Sequence, residues 1–596
     1  MSENIYKSRL GELRREMADA GINAVIIPQT DPHQSEYIAS HWQIRRFFSG
    51  FTGSAGTLVV TDSEALLWTD SRYFLQAASQ LEGTGIRLMK EMLPDTPSVA
   101  EYLAANLRPG DTVGVNGILF SAGATAALRC ALNAQDIRLD TEFDPVDRIW
   151  TDRPGLPADK IYIHAPEHAG RDASDKISDV LAETRRRGAA SVFISALDEI
   201  AWTLNLRCND IHCSPVQMAF LYLAPEGSVM FVNEEKLTGE VRAYLASKGV
   251  GVAPYGAFAD FLQALPADRR VLVSTSQSAG AVAALLGGRC VEGSSPVAML
   301  KACKNDVEIG GFRAAHRRDG VAMVRSLMEI GRILAHGGEL TEIGVADILL
   351  RHRSAQPLFV ETSFDTIAGF GPNGAIVHYS ATPETDTRIL PDNLLLIDSG
   401  GNYLDATTDI TRTVAMGTPT AEMRHDFTIV LQGNIDLAMA VFPEGTRGAQ
   451  LDVLAHMPLW REGKNYLHGT GHGVGCFLNC HEGPQSIRVQ ENPVALRPGM
   501  VTSDEPGLYL TGRYGIRCEN LLLTVDKMTT DAGKFLAFEP LTLCPFDRSL
   551  IDASMLTRAE LKWLNDYHSL VWRELSPLLT ADEREWLKTA TAPIEK

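Results

Sequence analysis

The sequence has no run of roughly eighteen apolar residues, which excludes a membrane-spanning helix. Its N-terminal stretch "MSENIYKSRLGELRREMADAG" is charged throughout and lacks the apolar centre of a signal peptide. It also lacks the pattern of a disulfide framework. Nine cysteines, an odd number scattered over 596 residues, read as reduced thiols of a cytoplasmic protein. Positive charge is in deficit, with 55 Lys and Arg against 74 Asp and Glu and a net charge of −19. That argues against a nucleic-acid partner, which would want a basic face.

What is present is an ordinary globular composition, 45% apolar and 22% charged, on a chain too long for one core. Two segments near the front share a grammar. "LGELRREMADAGINAVIIP" reads as a basic-ended helix, a stop at Gly21 and an apolar strand. "ISDVLAETRRRGAASVFIS" repeats this with its stop at Gly188. The offset that carries Gly21 onto Gly188 also carries Asp31 onto Asp198, so an internal duplication into two α/β domains is expected. "GFTGSAG" (50–56) lacks the Gly-Lys-Ser/Thr ending of a phosphate loop and runs into a strand, so it reads as a tight turn. A long helical pattern from Lys301 onward opens a third domain reaching the C-terminus.

The third domain carries the chemistry. In "LLLIDSGGNYLDATTDITRTVAMG" an apolar strand ends at Asp398. Gly400, Gly401 and Asn402 make a turn, and a second strand follows Asp409. An acid closing a run of Leu and Ile is costly unless its charge is compensated, although a lone Asp could equally cap a turn. Asp405 sits where a loop residue would. Glu505 in "SDEPGLYL" follows another apolar strand, and Glu519 in "GIRCENLLLTV" heads one. Four acids at strand ends are harder to dismiss than any one of them.

"HGTGHGVG" (468–475) places glycine at every second position, which makes a helix very unfavourable. An extended strand over all eight residues is expected, with its glycine face open to a close neighbour. His468 and His472 would then stand about 13 Å apart. Metals of a two-metal site lie only about 3.5–4 Å apart, so both are not expected to bind in one such site. One of the two can hold metal while the other reaches over a substrate.

Together, "IDSG", "TTDITRT", "HGTGHGVG", "SDEPGLY" and "GIRCENL" resemble the metallopeptidases of pita-bread fold. "SFDTIAGFGPNGAIVHYS", "DEIAWTLNLRCNDIHCSPV" and the two leading domains narrow the resemblance to the three-domain Xaa-Pro aminopeptidases. It covers nearly the whole chain. It implies two similar creatinase-like α/β domains, 1–157 and 158–305, ahead of a pita-bread catalytic domain, 306–596. By motif, it implies the metal ligands Asp398, Asp409, His472, Glu505 and Glu519, with Asp409 and Glu519 bridging. His378, His468 and His481 match substrate-facing histidines, and Arg517 and Tyr509 match positions near the site.

Four carboxylates and two divalent cations make a neutral site. Oxygen-rich ligation with one imidazole suits Mn²⁺, with Co²⁺ or Zn²⁺ as alternatives. The implied reaction is hydrolysis of the N-terminal Xaa-Pro bond by a hydroxide bridging two ions. Glu505 would shuttle the proton, and His481 or His378 would stabilise the oxyanion. Peptides with proline second are the implied partners, and a homodimer is implied. Prolidase, a metal-free creatinase-type hydrolase and a pita-bread peptide- or histone-binding module are the alternatives. The last two usually lack some of the five ligands. Cys476, Cys480 and Cys518 depart from the family pattern beside the ligands and read as small packed thiols.

Overall fold

The computed structural model describes residues 4–596 and divides into two compact units. One comprises the chain up to His164 together with Arg171–Val297; the other comprises Ala165–Gly170 and Ala298–Lys596.

The first unit holds two six-stranded sheets. In one, the strands run in the order 87–90, 65–69, 57–61, 24–28, 112–114, 138–140. In the other, the order is 250–254, 228–232, 219–223, 191–194, 271–274, 290–293. The two match place for place in strand direction, with two antiparallel steps flanked by parallel ones. Shared topology on this scale is what a duplication predicts. Ile5–Ala20 buries Leu10, Leu13 and Met17 on one face and stops at Gly21, whose φ of 70° suits glycine. Ala173–Arg186 runs to Gly188, φ 81°.

The expected basic last turn is found only in the second helix, at Arg185 and Arg186. In the first, the Gly21 N–H caps the carbonyls of Met17 and Ala18, which closes the helix without a charge. The acids at the common offset also diverge. Asp31 is buried and accepts the N–H groups of His33 and Ser35, whereas Asp198 lies in the first turn of the helix Leu197–Leu204. The 50–56 segment is a loop wrapped around the buried Arg45 guanidinium, which donates to Phe51 O and Gly53 O.

The second unit opens with Asp306–Ala335, started by a capping box between Asn305 and Glu308. Its largest sheet runs 441–443, 533–540, 520–530, 501–504, 471–473, 482–487, and a three-stranded sheet runs 367–370, 394–399, 410–415. One core cluster joins Ala421–Ala438 to Arg558–Leu575 through Val430, Ile435, Leu564 and Val571. Another sets Leu451 and Ala455 against Leu522 and Leu536.

Gly400–Asn402 is not a tight turn. Gly401–Tyr403 forms a strand beside Phe359–Thr362, and the chain turns at Leu404–Asp405 instead. Buried Tyr403 donates its hydroxyl to Asp319 Oδ1 (2.9 Å), which anchors this excursion. Asp405 pairs with Arg318, as a turn residue can.

His568 gives this unit an acid-sensitive point. It is buried in Arg558–Leu575, and its Nε2 accepts the Phe546 N–H. Burial, then the charges of Arg412 and Arg548, lowers its pKa from 6.5 to about 3. The folded state therefore refuses a proton that the unfolded state accepts. As pH falls from 6.5 towards 3, this group should remove about 1.4 kcal/mol of stability per pH unit. In urea unfolding, the stability of His568→Gln relative to wild type should shift in the variant's favour on acidification from its value at neutral pH. Parallel curves would contradict the assignment.

Candidate metal centre

Strand pairing brings the acids together. Leu394–Ser399 is buried at every position, so Asp398 is carried into the interior by a strand with no solvent face. It pairs with Ile410–Ala415, setting Asp398 opposite Thr411 and placing Asp409 just ahead of that strand. In the larger sheet Asp504 pairs with Asn520, so Glu505 and Glu519 leave adjacent antiparallel strands side by side. Gly473 pairs with Thr502, which adds His472 from the neighbouring strand. The two sheets meet where the Glu519 N–H donates to Thr411 O (3.2 Å) and Thr411 Oγ1 donates to Glu519 Oε2 (2.8 Å).

His472 Nε2 lies 3.5 Å from both Asp409 Oδ2 and Glu505 Oε1. Its Nδ1 faces Gly473 O at 2.9 Å, so Nδ1 carries the hydrogen and Nε2 is left towards the carboxylates. Donor atoms of Asp409, His472 and Glu519 all lie within 4.8 Å of one another. Arg517 Nη2 donates to Asp398 Oδ2 at 2.6 Å, while Asp398 Oδ1 is buried with no hydrogen-bond partner among the described residues.

The electrostatics are those of an undercompensated site. Burial, then Asp409, Asp398 and Glu505, pushes the Glu519 carboxyl well above the usual range. Burial raises Asp398 in spite of Arg517, and it raises Glu505 to about 7. Burial also opposes ionisation of Asp409, but His472, His481 and Cys480 outweigh it and hold that carboxyl low. His472 resists protonation by burial, yet Asp409 and Glu505 raise it to about 9. Several hard oxygens, one oriented imidazole and an orphaned buried carboxylate oxygen fit divalent cations.

Residues 9–149 and 152–308 each match the creatinase/prolidase N-terminal domain. Residues 310–526 match metallopeptidase family M24, and 534–594 match the C-terminal region of that peptidase. Aminopeptidase P2 of Arabidopsis thaliana is 40% identical over 99% of this chain and 89% of its own length. A probable Xaa-Pro aminopeptidase P of Aspergillus flavus is 41% identical over 99% and 93%. The chain belongs to the Xaa-Pro aminopeptidase P family.

A crystal structure in this family, the X-prolyl aminopeptidase of Caenorhabditis elegans, aligns with a TM-score of 0.96 at 35% identity. It covers 99% of this chain and 100% of that one, and is described as a cytosolic enzyme with a di-nuclear active site.

Of the other residues singled out by motif, His481, Arg517, Tyr509 and His468 join the cluster directly or through one another. His481 meets His472 edge-on, with ring centroids 4.3 Å apart. His468 Nε2 accepts from Tyr509 OH (2.9 Å), which in turn accepts from Arg517 Nη1 (2.7 Å). Arg517 is thus buried between Asp398 and Tyr509, holding both. His378 is in the turn after Gly371–Ala375, and its neighbours Ile376 and Tyr379 share an apolar patch with Tyr509.

The extended ladder is shorter than the glycine pattern predicts, covering only Gly471–Gly473 with a register shift after His472. What approaches the glycines is backbone of the same sheet. A Cβ on Gly471 would run into Ser503 O, and one on Gly473 would sit 2.6 Å from Glu482 O.

Two supports escaped the motifs. Asp452 and His456 are four apart on Gly448–Trp460, joined Oδ2 to Nδ1 at 3.0 Å, and Thr470 Oγ1 donates to Asp452 Oδ1 at 2.6 Å. The Glu505 N–H then donates to Thr470 O (2.8 Å). Glu482, next to His481, is held by buried Lys301 and Lys304 (2.5 and 2.7 Å). The i,i+4 Asp–His pair was a readable signal; the lysines, far away in sequence, were not.

Gly471→Ala should push His472 off its position and weaken divalent-cation binding by about 10- to 100-fold. Gly469→Ala, whose Cβ would find its nearest atom at 3.6 Å, should leave binding unchanged. Calorimetric titration with Mn²⁺ checks both.

Proposed function

We propose that the protein is a metal-dependent aminopeptidase that hydrolyses the N-terminal Xaa-Pro bond of peptides. The observation that carries this is the gathering of Asp398, Asp409, His472, Glu505 and Glu519 at the junction of two sheets. The reading has three domains, 1–157, 158–305 and 306–596. It places the protein in the cytoplasm, in keeping with its scattered cysteines, and makes it a homodimer, as its family resemblance implies. Those five residues would hold two divalent ions, Mn²⁺ by the hardness of the donors. When bound, the ions would supply water activation near neutral pH and Lewis acidity towards the scissile carbonyl.

The protein's own groups do the rest. The prolyl nitrogen of the substrate bears no hydrogen, so it is recognised by ring shape rather than by a hydrogen bond. His481, beside His472, donates to the carbonyl oxygen as negative charge develops there, with His378 as the other candidate donor. Glu505 delivers the proton to the leaving prolyl nitrogen. Its Oε1 accepts from Ser503 Oγ (3.2 Å), which fixes the carboxylate's direction. Arg517 and Tyr509 hold His468 towards the substrate.

Release of the first residue from Xaa-Pro tripeptides should be faster than cleavage of Xaa-Pro dipeptides. Faster dipeptide cleavage would make the protein a prolidase, and cleavage of neither would favour a binding module. Asp409→Asn should lower kcat/KM by about a thousandfold or more, about 4 kcal/mol of transition-state stabilisation. Unchanged activity would overturn the site.

A further inference from the structure

A second set of donors lies against the first and differs from it in kind. The Cys480 thiol, the His481 imidazole and the Asp409 carboxylate bring their donor atoms within 4.8 Å of one another. Cys480 Sγ donates to Asp409 Oδ2 at 3.2 Å, so the thiol already faces the carboxylate. His481 is half-buried and stands against His472, while Cys480 is 1% exposed. Asp409 belongs to both sets. Cys476, four residues earlier, points elsewhere, donating to Asp405 O at 3.3 Å.

The two sets select different ions. The first offers carboxylate oxygens and one imidazole and contains no sulfur. The second combines sulfur, nitrogen and oxygen in three protein ligands, a donor list that Zn²⁺ accepts with a fourth position open. Donors grouped this closely need little rearrangement to close on an ion at about 2.0–2.3 Å from each.

We propose that Cys480, His481 and Asp409 form a second, overlapping site for a thiophilic divalent cation such as Zn²⁺ or Cd²⁺, which shares Asp409 with the first donor set. On binding, the sulfur–metal bond forms as the S–H bond breaks. The proton leaves to solvent, and no oxidation state changes. Cys480 exchanges its hydrogen bond to Asp409 for a shared ion. The site makes no use of the peptidase reading, and its test uses no peptidase activity, so either can fail alone.

Mn²⁺-loaded protein is titrated with Cd²⁺ and followed by the ultraviolet thiolate-to-Cd²⁺ charge-transfer band. Cys480→Val should lose the tightest-binding phase of that band while keeping its Mn²⁺ content. His481→Asn should keep the band but weaken its midpoint by about tenfold or more. A full band in Cys480→Val, or an unmoved midpoint in His481→Asn, would overturn the site. X-ray absorption at the cadmium edge, on wild type holding one equivalent, needs no variant to fold. One sulfur neighbour is expected, and only oxygen and nitrogen neighbours would overturn the proposal.

Discussion

Like charges resist being buried together, and the catalytic unit is organised around four that are. Asp398, Asp409, Glu505 and Glu519 converge where two sheets meet, with Arg517 and His472 among the basic groups against them. Burial and mutual repulsion push three of the four carboxyls upward. A polypeptide keeps such an arrangement only where further positive charge completes it, which is the logic of a metal centre and not of a packed core.

Much of the surrounding structure fixes the directions of these groups. Arg412, wholly buried, donates to the backbone oxygens of Thr411, Glu519, Cys544 and Pro545, tying both acid-bearing strands to the C-terminal segment. Thr411 accepts from Arg517 Nε and donates to Glu519, linking Asp398's partner to the neighbouring acid. From the other side, Asp452 holds Thr470, whose carbonyl accepts from the Glu505 N–H, and Glu482 with its two lysines braces the His481 loop. Asp398, Glu505 and Glu519 are therefore gripped by groups outside the carboxylate cluster, as preorganised sites require.

The amino-acid sequence discloses the acids because each breaks a local rule, standing at the end of an apolar strand where charge is costly. It discloses the duplication because the helix–glycine–strand grammar recurs at one offset, and the sheets share that order. It misleads where a local signal has a nonlocal cause. Gly400–Asn402 looks like a turn, but Tyr403 finds Asp319 far back in the chain and draws the segment into another sheet. The alternating glycines look like one long strand open to an outside neighbour. Close packing against Ser503 and Glu482 requires them instead, over a shorter ladder. The lysine braces on Glu482 were illegible because nothing near "NCHEGP" announces residues 301 and 304.

If the buried carboxylates are the constraint, their compensation should appear as stability of the catalytic unit. The direct measurement is the melting midpoint of that unit in metal-stripped protein, with and without Mn²⁺, in wild type and in Glu519→Gln. At a free ion concentration near a hundredfold above Kd, wild type should gain about 2.7 kcal/mol per site. The gain should largely vanish in Glu519→Gln. A wild-type midpoint that does not move when Mn²⁺ is added would contradict the account.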